Sequence, residues 1–365
     1  MTTPPSPIAC DIIIPIWNQP GLTQRCLESV AAATEGYRLI LVDNGSEAET
    51  RHLLEAAARR DPDRMQIIRN AENLGFIKAV NQGLRASRAP YICLLNNDTV
   101  VTPGWLTEMT AVAAHDAGIG LINPSSNTLG YTPDTPTPDG ILAYAAALAA
   151  SRGHTREIAM GVGFCLLIKR AVVDTVGLLD ERYGMGNFED ADFSLRAQAA
   201  GWRCVQAVGA YVYHEEKASF KHQAGWQTAF QANQRLFAQQ WGRALRIVWE
   251  HHDAGAAPGP TWTQAMVRLL RQGHQLWICA EHGTVAPEIH RYTSVSPLAA
   301  GPRWRPALLW YVLRRRRKPV DLVICHDRPL AQWLQWLRPW HRAAIVSRPT
   351  PEALEAACRR LSHSQ

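Results

Sequence analysis

The chain has no Cys-x-x-Cys pair, although it carries eight cysteines. They stand at 10, 26, 93, 165, 204, 279, 325 and 358, several inside apolar runs such as Tyr91-Ile92-Cys93-Leu94-Leu95. Thiols spread in this way argue against a zinc cluster or a disulfide framework and point to free, buried groups in a reducing compartment. The N-terminus, Met1-Thr2-Thr3-Pro4-Pro5, lacks a basic segment followed by an apolar one, so no signal peptide is expected. Long hydrophobic runs are missing too. The longest, Ile141 to Ala150 and Ala307 to Leu313, fall short of the ~20 residues a membrane helix needs. These absences predict a soluble, cytoplasmic protein. No GxGxxG follows a predicted strand, which disfavours a dinucleotide-dependent dehydrogenase. No glycine-rich phosphate loop stands near the first strand, which disfavours a nucleotidyltransferase.

What is present suffices for a large core. Of 365 residues, 47% are hydrophobic and 19% charged, which excludes wholesale disorder. At roughly 150 residues per domain, one large domain and a smaller one are expected. The net charge of +6 is unevenly spread: residues 1–254 sum to −4 and 255–365 to +10. A near-neutral body with a basic tail argues against a nucleic-acid binder and points to an anionic partner for the tail.

Residues 10–123 alternate between short apolar runs and helical spacing. Asp11 to Ile16, Arg38 to Val42, Gln66 to Arg69, Tyr91 to Leu95 and Ile119 to Asn123 read as strands. Helices are expected over Leu22 to Ala33, from the turn after Asp43 to about Arg60, over Phe76 to Ser87 and near Trp105 to His115. This alternation predicts an α/β fold with an open, mostly parallel sheet and helices on both faces. Ligands bind such sheets outside the carboxyl ends of the strands, where Asp43 and Asn96-Asn97-Asp98 fall. Residues 124–157, rich in Pro, Ser and Thr, read as a long loop. Gly161 to Ile168, Arg203 to Val208 and Ala210 to Tyr213 read as strands. Asn187 to Asp192 opens a helix to about Ala200, and helical patterning from about Gln223 to Trp249 closes the first domain. Asp253 to Pro260 reads as a linker, giving domains at 1–252 and 261–365. In the second, Leu276 to Cys279 and Val320 to Cys325 read as buried strands, which predicts a small C-terminal α/β module.

Three polar sites fall at predicted element ends: Asp98, the Glu189-Asp190-Asp192 cluster, and His214. A divalent cation carrying a diphosphate takes one or two protein carboxylates, and Mn2+ also accepts an imidazole, so Asp98 and His214 would suffice if the fold joins them. A lone histidine is more often structural, an Asp after a strand more often a turn former, and acidic residues suit a first helical turn through the helix dipole. Composition and spacing lead no further than an α/β protein with an acidic cleft.

The order of the motifs adds to this. Asp11-Ile-Ile-Ile-Pro-Ile-Trp-Asn18, Leu41-Val-Asp-Asn-Gly-Ser46, Asn73-Leu-Gly-Phe76, Leu94-Leu-Asn-Asn-Asp-Thr99, Asn187-Phe-Glu-Asp-Ala-Asp192 and Tyr213-His214 resemble, in sequence, the inverting family 2 glycosyltransferases. The look is closest to their rhamnosyltransferase-like branch, and it covers roughly residues 8–240. The resemblance implies a GT-A-type fold and a nucleotide-diphospho-sugar donor, UDP- or dTDP-linked. It implies that Pro15 and Trp17 line the nucleoside pocket and that Asp43 bonds base or ribose. Asn73, Gly75 and Lys78 would sit by the nucleotide, and Asn96, Asn97 and Asp98 occupy the Asp-x-Asp position. Asp98 and His214 would hold Mn2+ or Mg2+. Asp190 would be the general base, Glu189 would orient the acceptor or compete for that role, and Asp192 would pair within the helix. Asn96 departs from the pattern, since an amide supplies no charge for a metal. A non-catalytic nucleotide- or glycan-binding scaffold is the alternative that this departure favours.

The last third lies outside the resemblance. Residues 255–365 hold seven of the 13 tryptophans, and Arg303-Trp304-Arg305 and Arg314 to Lys318 flank an apolar run. Arginine clusters beside Trp and Leu suit a membrane surface, useful for a lipid-linked glycan acceptor; a Trp-rich core with a solvated basic loop fits the pattern equally.

Overall fold

The computed structural model describes residues 9–216, 225–251, 259–280, 286–300, 304–314 and 318–363. The chain forms two compact units, Met1–Arg156 with Met160–Gln234, and Glu157–Ala159 with Arg235–Gln365. All eight cysteines are free and buried. Among the described residues no helix is long and apolar enough to cross a membrane.

The first unit begins with β1 (Cys10–Ile16), α1 (Pro20–Ala33), β2 (Tyr37–Asn44), α2 (Ala48–Arg60), β3 (Met65–Asn70), α3 (Phe76–Ala86) and β4 (Tyr91–Leu95). It continues with β5 (Thr99–Val101), α4 (Trp105–His115), β6 (Ile119–Ser125), α5 (Pro138–Leu148), β7 (Thr155–Glu157) and β8 (Cys165–Lys169). Then come α6 (Arg170–Val176), α7 (Glu189–Ala199), β9 (Arg203–His214) and α8 (Trp226–Trp241), the last reaching past the dividing point. The sheet order is β3-β2-β1-β4-β8-β6-β9-β5, with β7 beside β9. Strands β1, β2, β3 and β4 are mutually parallel, β8 is antiparallel to both β4 and β6, and β6 is parallel to β9. The carboxyl ends of β1, β2, β4 and β9 therefore share one edge with the start of β8.

Burial explains the pattern. Ile12, Ile13, Ile14 and Ile16 of β1 are all buried, as a central strand covered on both faces requires. Thr23, Cys26, Leu27 and Val30 form the inward stripe of α1 at helical spacing. Asp11 is buried in this core because Arg38 donates to both of its oxygens at 2.9 and 3.0 Å. Burial raises the Asp11 carboxyl pKa, but Arg38 and the Arg88 and Ala89 N–H groups outweigh it and hold the group below its ordinary value.

Three expectations change. The Pro-rich stretch 124–157 contains α5, started by Pro138 in the first turn and capped by Thr137. Residues 203–214 form one strand with a register irregularity, where two were expected. The helix expected to run to Trp249 ends at Trp241, and Arg246–His251 is a strand of the other unit. The units accordingly divide at Gln234, ahead of the linker at Asp253 to Pro260, of which residues 253–258 lie outside the described residues. So does Gln223, where that helix was expected to begin.

The second unit comprises β10 (Arg246–His251), α9 (Pro260–Arg271), β11 (Gln275–Ala280), α10 (Pro287–His290), β12 (Val295–Ala300) and α11 (Trp304–Leu313). Then follow β13 (Leu322–Cys325), α12 (Arg328–Trp336), α13 (Arg338–His341), β14 (Ala344–Ser347) and α14 (Pro351–His363). Its five strands are all parallel, in the order β12-β11-β10-β13-β14. Ile247, Trp249 and Ile324 pack with Leu269 and Leu354, whereas Val248, Val323 and Cys325 pack with Leu308 and Leu334. Alternate residues thus face two apolar layers, as in a doubly wound sheet. Trp304 belongs to this core, so it drops out of the surface patch expected over 303–318; Arg303 and Arg315 to Arg317 lie outside the described residues.

Candidate active site

Pro15 sits half-buried in β1, and Trp17, just beyond it, is exposed. Asn18 and Gln19 follow with φ of 56° and 59°, left-handed values that cost non-glycine residues energy and gather where a site demands them. The Asn18 N–H donates to Ser46 Oγ and its side-chain oxygen accepts from the Glu47 N–H, which ties the end of β1 to the turn after β2. Asp43, at the end of β2, is fully buried. One of its oxygens accepts from the Ser46 N–H and the other from Arg69 Nε, both at 3.0 Å, so the carboxylate shapes the turn. Gly45 makes that turn possible: φ is +76°, and a Cβ there would lie 2.5 Å from the Glu72 carbonyl carbon.

Asn44 organises the next segment. Its amide donates to Asn73 Oδ1 and to the Gly75 carbonyl, and its oxygen accepts from Asn70 and from the Leu74 N–H. Asn73 in turn accepts from the Gly75 N–H at 2.9 Å. Gly75 has φ +87°, and a side chain on it would collide with Met185. Lys78 is exposed on α3.

Asn96, Asn97 and Asp98 form the turn between β4 and β5. The Asn96 N–H donates to the Phe164 carbonyl, and Asn97 Nδ2 donates to Thr23 Oγ1 of α1. Asp98 is buried, with Oδ1 3.1 Å from His214 Nε2 at the end of β9. Asn127 holds His214 by both backbone groups, donating to its carbonyl and accepting from its N–H at 2.8 Å. The Thr128 hydroxyl lies 3.0 Å from His214 Nδ1 and donates its single proton to Glu216. Nδ1 must therefore be the donor to Thr128, which leaves Nε2 of a neutral ring as a lone pair facing a carboxylate oxygen. Such a pair calls for a proton or a cation. One carboxylate and one imidazole, the latter steadied by a hydroxyl behind it, match what a divalent ion carrying a diphosphate takes from protein. Among the described residues no cluster of three or more His, Cys, Asp or Glu side chains could hold a metal, so the remaining ligands would come from diphosphate and water.

Glu189 and Asp190 open α7 behind Asn187 and Phe188, again a left-handed pair at 76° and 74°. Asp190 Oδ2 accepts from the Gly163 N–H at 3.0 Å and Oδ1 from the Ala191 N–H at 2.7 Å. Burial raises the Asp190 pKa against the pull of those N–H groups. Glu189 is 6% exposed, and its Oε2 has no hydrogen-bond partner. Burial first, and the Asp190 charge second, push its carboxyl up to about 8. Asp192 pairs with Arg196 one turn on, at 2.8 Å. Gly163-Phe164 links the two halves of the site: the Gly163 N–H holds Asp190, the Phe164 carbonyl accepts from Asn96, and the Phe164 ring stacks on His214 at 5.1 Å.

Sequence reasoning missed Asn127, Thr128, Gly163-Phe164 and Asn233. The buried Asn233 of α8 donates to the Tyr183 and Gly186 carbonyls at 2.7 and 2.8 Å and so fixes the loop before Asn187. An asparagine inside a helical stretch was the one signal it offered.

Residues 11–177 match the family model described as Glycosyl transferase family 2. The chain is 30% identical over 237 residues to an uncharacterised protein of Sinorhizobium fredii. It is 26% identical over 218 residues to EpsJ of Bacillus subtilis, an uncharacterised glycosyltransferase, and 26% over 230 residues to the O-antigen biosynthesis protein RfbC of Myxococcus xanthus. These alignments take in 58%, 57% and 57% of this chain but only 25%, 61% and 17% of the relatives' own lengths. Among solved structures, GalNAc-T7 with UDP, GalNAc and Mn2+ aligns at a TM-score of 0.50 and 16% identity, over 63% of this chain and 48% of that one. The first unit has the GT-A fold. In this GT-A unit the carboxyl-end edge of the sheet carries both acidic groups, with Gly163-Phe164 between them.

Proposed function

We propose that the chain is an inverting glycosyltransferase that moves a sugar from a nucleotide-diphospho-sugar to a hydroxyl of a surface glycan. The observation that carries this reading is the link through Gly163-Phe164, which joins a half-buried carboxylate at a helix start to the Asp98–His214 pair. Asp190 takes the proton of the acceptor hydroxyl as its oxygen bonds to the anomeric carbon. The bond from that carbon to the diphosphate breaks on the opposite face, and the electron pair leaves with the nucleoside diphosphate. Asp190 is suited to this because one N–H fixes each oxygen and burial strengthens it as a base. Glu189, protonated at neutral pH, is a hydrogen-bond donor available to orient the acceptor.

Asp98 and His214 would hold Mn2+ or Mg2+, which supplies positive charge for the departing diphosphate. Pro15 and Trp17 flank the nucleoside, with Asn73, Gly75, Lys78, Asn96 and Asn97 around the donor. Asp43 serves mainly by shaping the turn beneath it. Motif order favours the rhamnosyltransferase-like branch and a UDP- or dTDP-linked donor. The names of the relatives, O-antigen biosynthesis among them, support a glycan acceptor. A lipid-linked acceptor fits the exposed Trp336 and Trp340 of the second unit, beside Arg338 and Arg342, and the exposed Trp310 with Arg314 over its ring, which suit the cytoplasmic face of a membrane.

Thermal-shift measurements with UDP-, dTDP- and GDP-sugars, with and without Mn2+, test the donor site. Metal-dependent stabilisation by one nucleotide class, lost in Asp98→Ala, is expected. No stabilisation of the folded protein by any of them would favour a glycan-binding scaffold or a site that forms only with acceptor.

A further inference from the structure

The second unit contains a cavity of about 800 Å3 lined by Trp262, Arg305, His326, Asp327, Arg328 and Arg348. Its place in the fold is specific. From β10 the chain winds to β11 and β12 on one side, then returns to β13 and β14 on the other, so the winding reverses between β10 and β13. His326, Asp327 and Arg328 directly follow β13, Arg348 directly follows β14, and Trp262 lies in the first turn of α9, the helix after β10. The cavity thus lies outside the carboxyl ends of a parallel sheet at its switch point, where open α/β sheets bind ligands.

Its charge is cationic. Arg305 pairs with Asp327 at 2.5 Å, and Asp327 also caps α12 by accepting from the Leu330 N–H. That carboxylate and Glu250 beneath the loop set two negative charges against the guanidinium groups of Arg305, Arg328 and Arg348, which leaves a net positive charge. Beneath the loop, the buried Glu250 at the end of β10 accepts from the His326 and Asp327 N–H groups at 2.5 and 3.0 Å and fixes its course. Arg348 is held at φ +46°, with Nε donating to the His326 carbonyl, a strained conformation of the kind that collects at binding sites. Trp262 supplies a flat apolar surface, its ring stacked on Trp249 and edge-on to His326.

We propose that this cavity binds a nucleoside phosphate, the phosphate on Arg328 and Arg348 and the base on Trp262. The site is separate from the GT-A site and does not depend on how that site is read.

Hydrogen–deuterium exchange of the full chain in EDTA, with UDP, dTDP, GDP, ADP or pyrophosphate added, tests it. At least one nucleoside diphosphate is expected to slow exchange over 322–336 and 344–350. Arg328→Glu combined with Arg348→Asn, which tolerates the left-handed backbone, should weaken that effect at least tenfold. Without nucleotide, the same variant should exchange over 91–95 and 246–251 as slowly as the unsubstituted chain, which shows that it folds. No slowing by any probe, or equal slowing in the double variant, overturns the site. Pyrophosphate acting at the same concentrations as the nucleotides overturns the nucleoside assignment.

Discussion

Glu189 and Asp190 are neighbours in sequence with different surroundings, and the difference can be measured. Each Asp190 oxygen has an N–H donor, whereas Glu189 Oε2 has none. Burial holds the Asp190 carboxyl above its ordinary value against those N–H groups, so transfer should rise with pH through this raised pKa, read from the pH dependence of kcat/KM, and Asp190→Asn should abolish that limb. Stability moves the opposite way. A carboxyl whose pKa is raised on folding contributes stability below its unfolded value, and that contribution is lost as pH rises through the folded value of about 8. Glu189→Gln should thus gain in Tm over the unsubstituted protein between pH 6 and 9 and show little difference near pH 4; a constant difference would contradict the assignment. Asp190 and Glu189 were legible because they lie in one short motif. Gly163 was not, because its N–H reaches Asp190 across 27 positions of sequence, and no local pattern encodes that approach.

At the scale of elements, the site rests on loops held by side-chain amides. Asn44 fixes the segment before α3, Asn127 fixes the end of β9, and Asn233 fixes the loop at Tyr183–Gly186. Asn233→Ala leaves two carbonyls short of a donor and should cost roughly 1–3 kcal/mol in urea unfolding. It should also raise the acceptor KM more than the donor KM, because the loop leads into Glu189. An unchanged stability would show that water replaces the amide. The strands of the first unit were readable because central parallel strands are continuous apolar runs. The helix inside 124–157 was obscured by prolines that in fact begin it, and β10 was read as helix because its six residues follow a helical stretch closely, with the left-handed Gly242 as the one stop signal between them.

For the whole molecule, the second unit is a doubly wound module with its own core and its own exposed tryptophans. Trp333 and Trp336 on α12 and Trp340 on α13 are more than half exposed, with Arg338 and Arg342 close by. Sedimentation with anionic vesicles should show binding that weakens as salt rises, and about tenfold less of it in Trp336→Ser with Trp340→Ser. Equal binding by the double variant would remove this surface from consideration. Both units present the carboxyl edge of a sheet, but the chemistry is proposed for the first alone. Nucleoside diphosphate release from UDP-, dTDP- and GDP-sugars, followed with Mn2+ in the unsubstituted protein, Asp98→Ala and Asp190→Asn, tests that most directly. Release from one nucleotide class is expected, lost in Asp98→Ala together with binding and about a hundredfold slower in Asp190→Asn with donor binding intact. Release at an unchanged rate in Asp190→Asn, or none from a folded protein that binds donor, would contradict it.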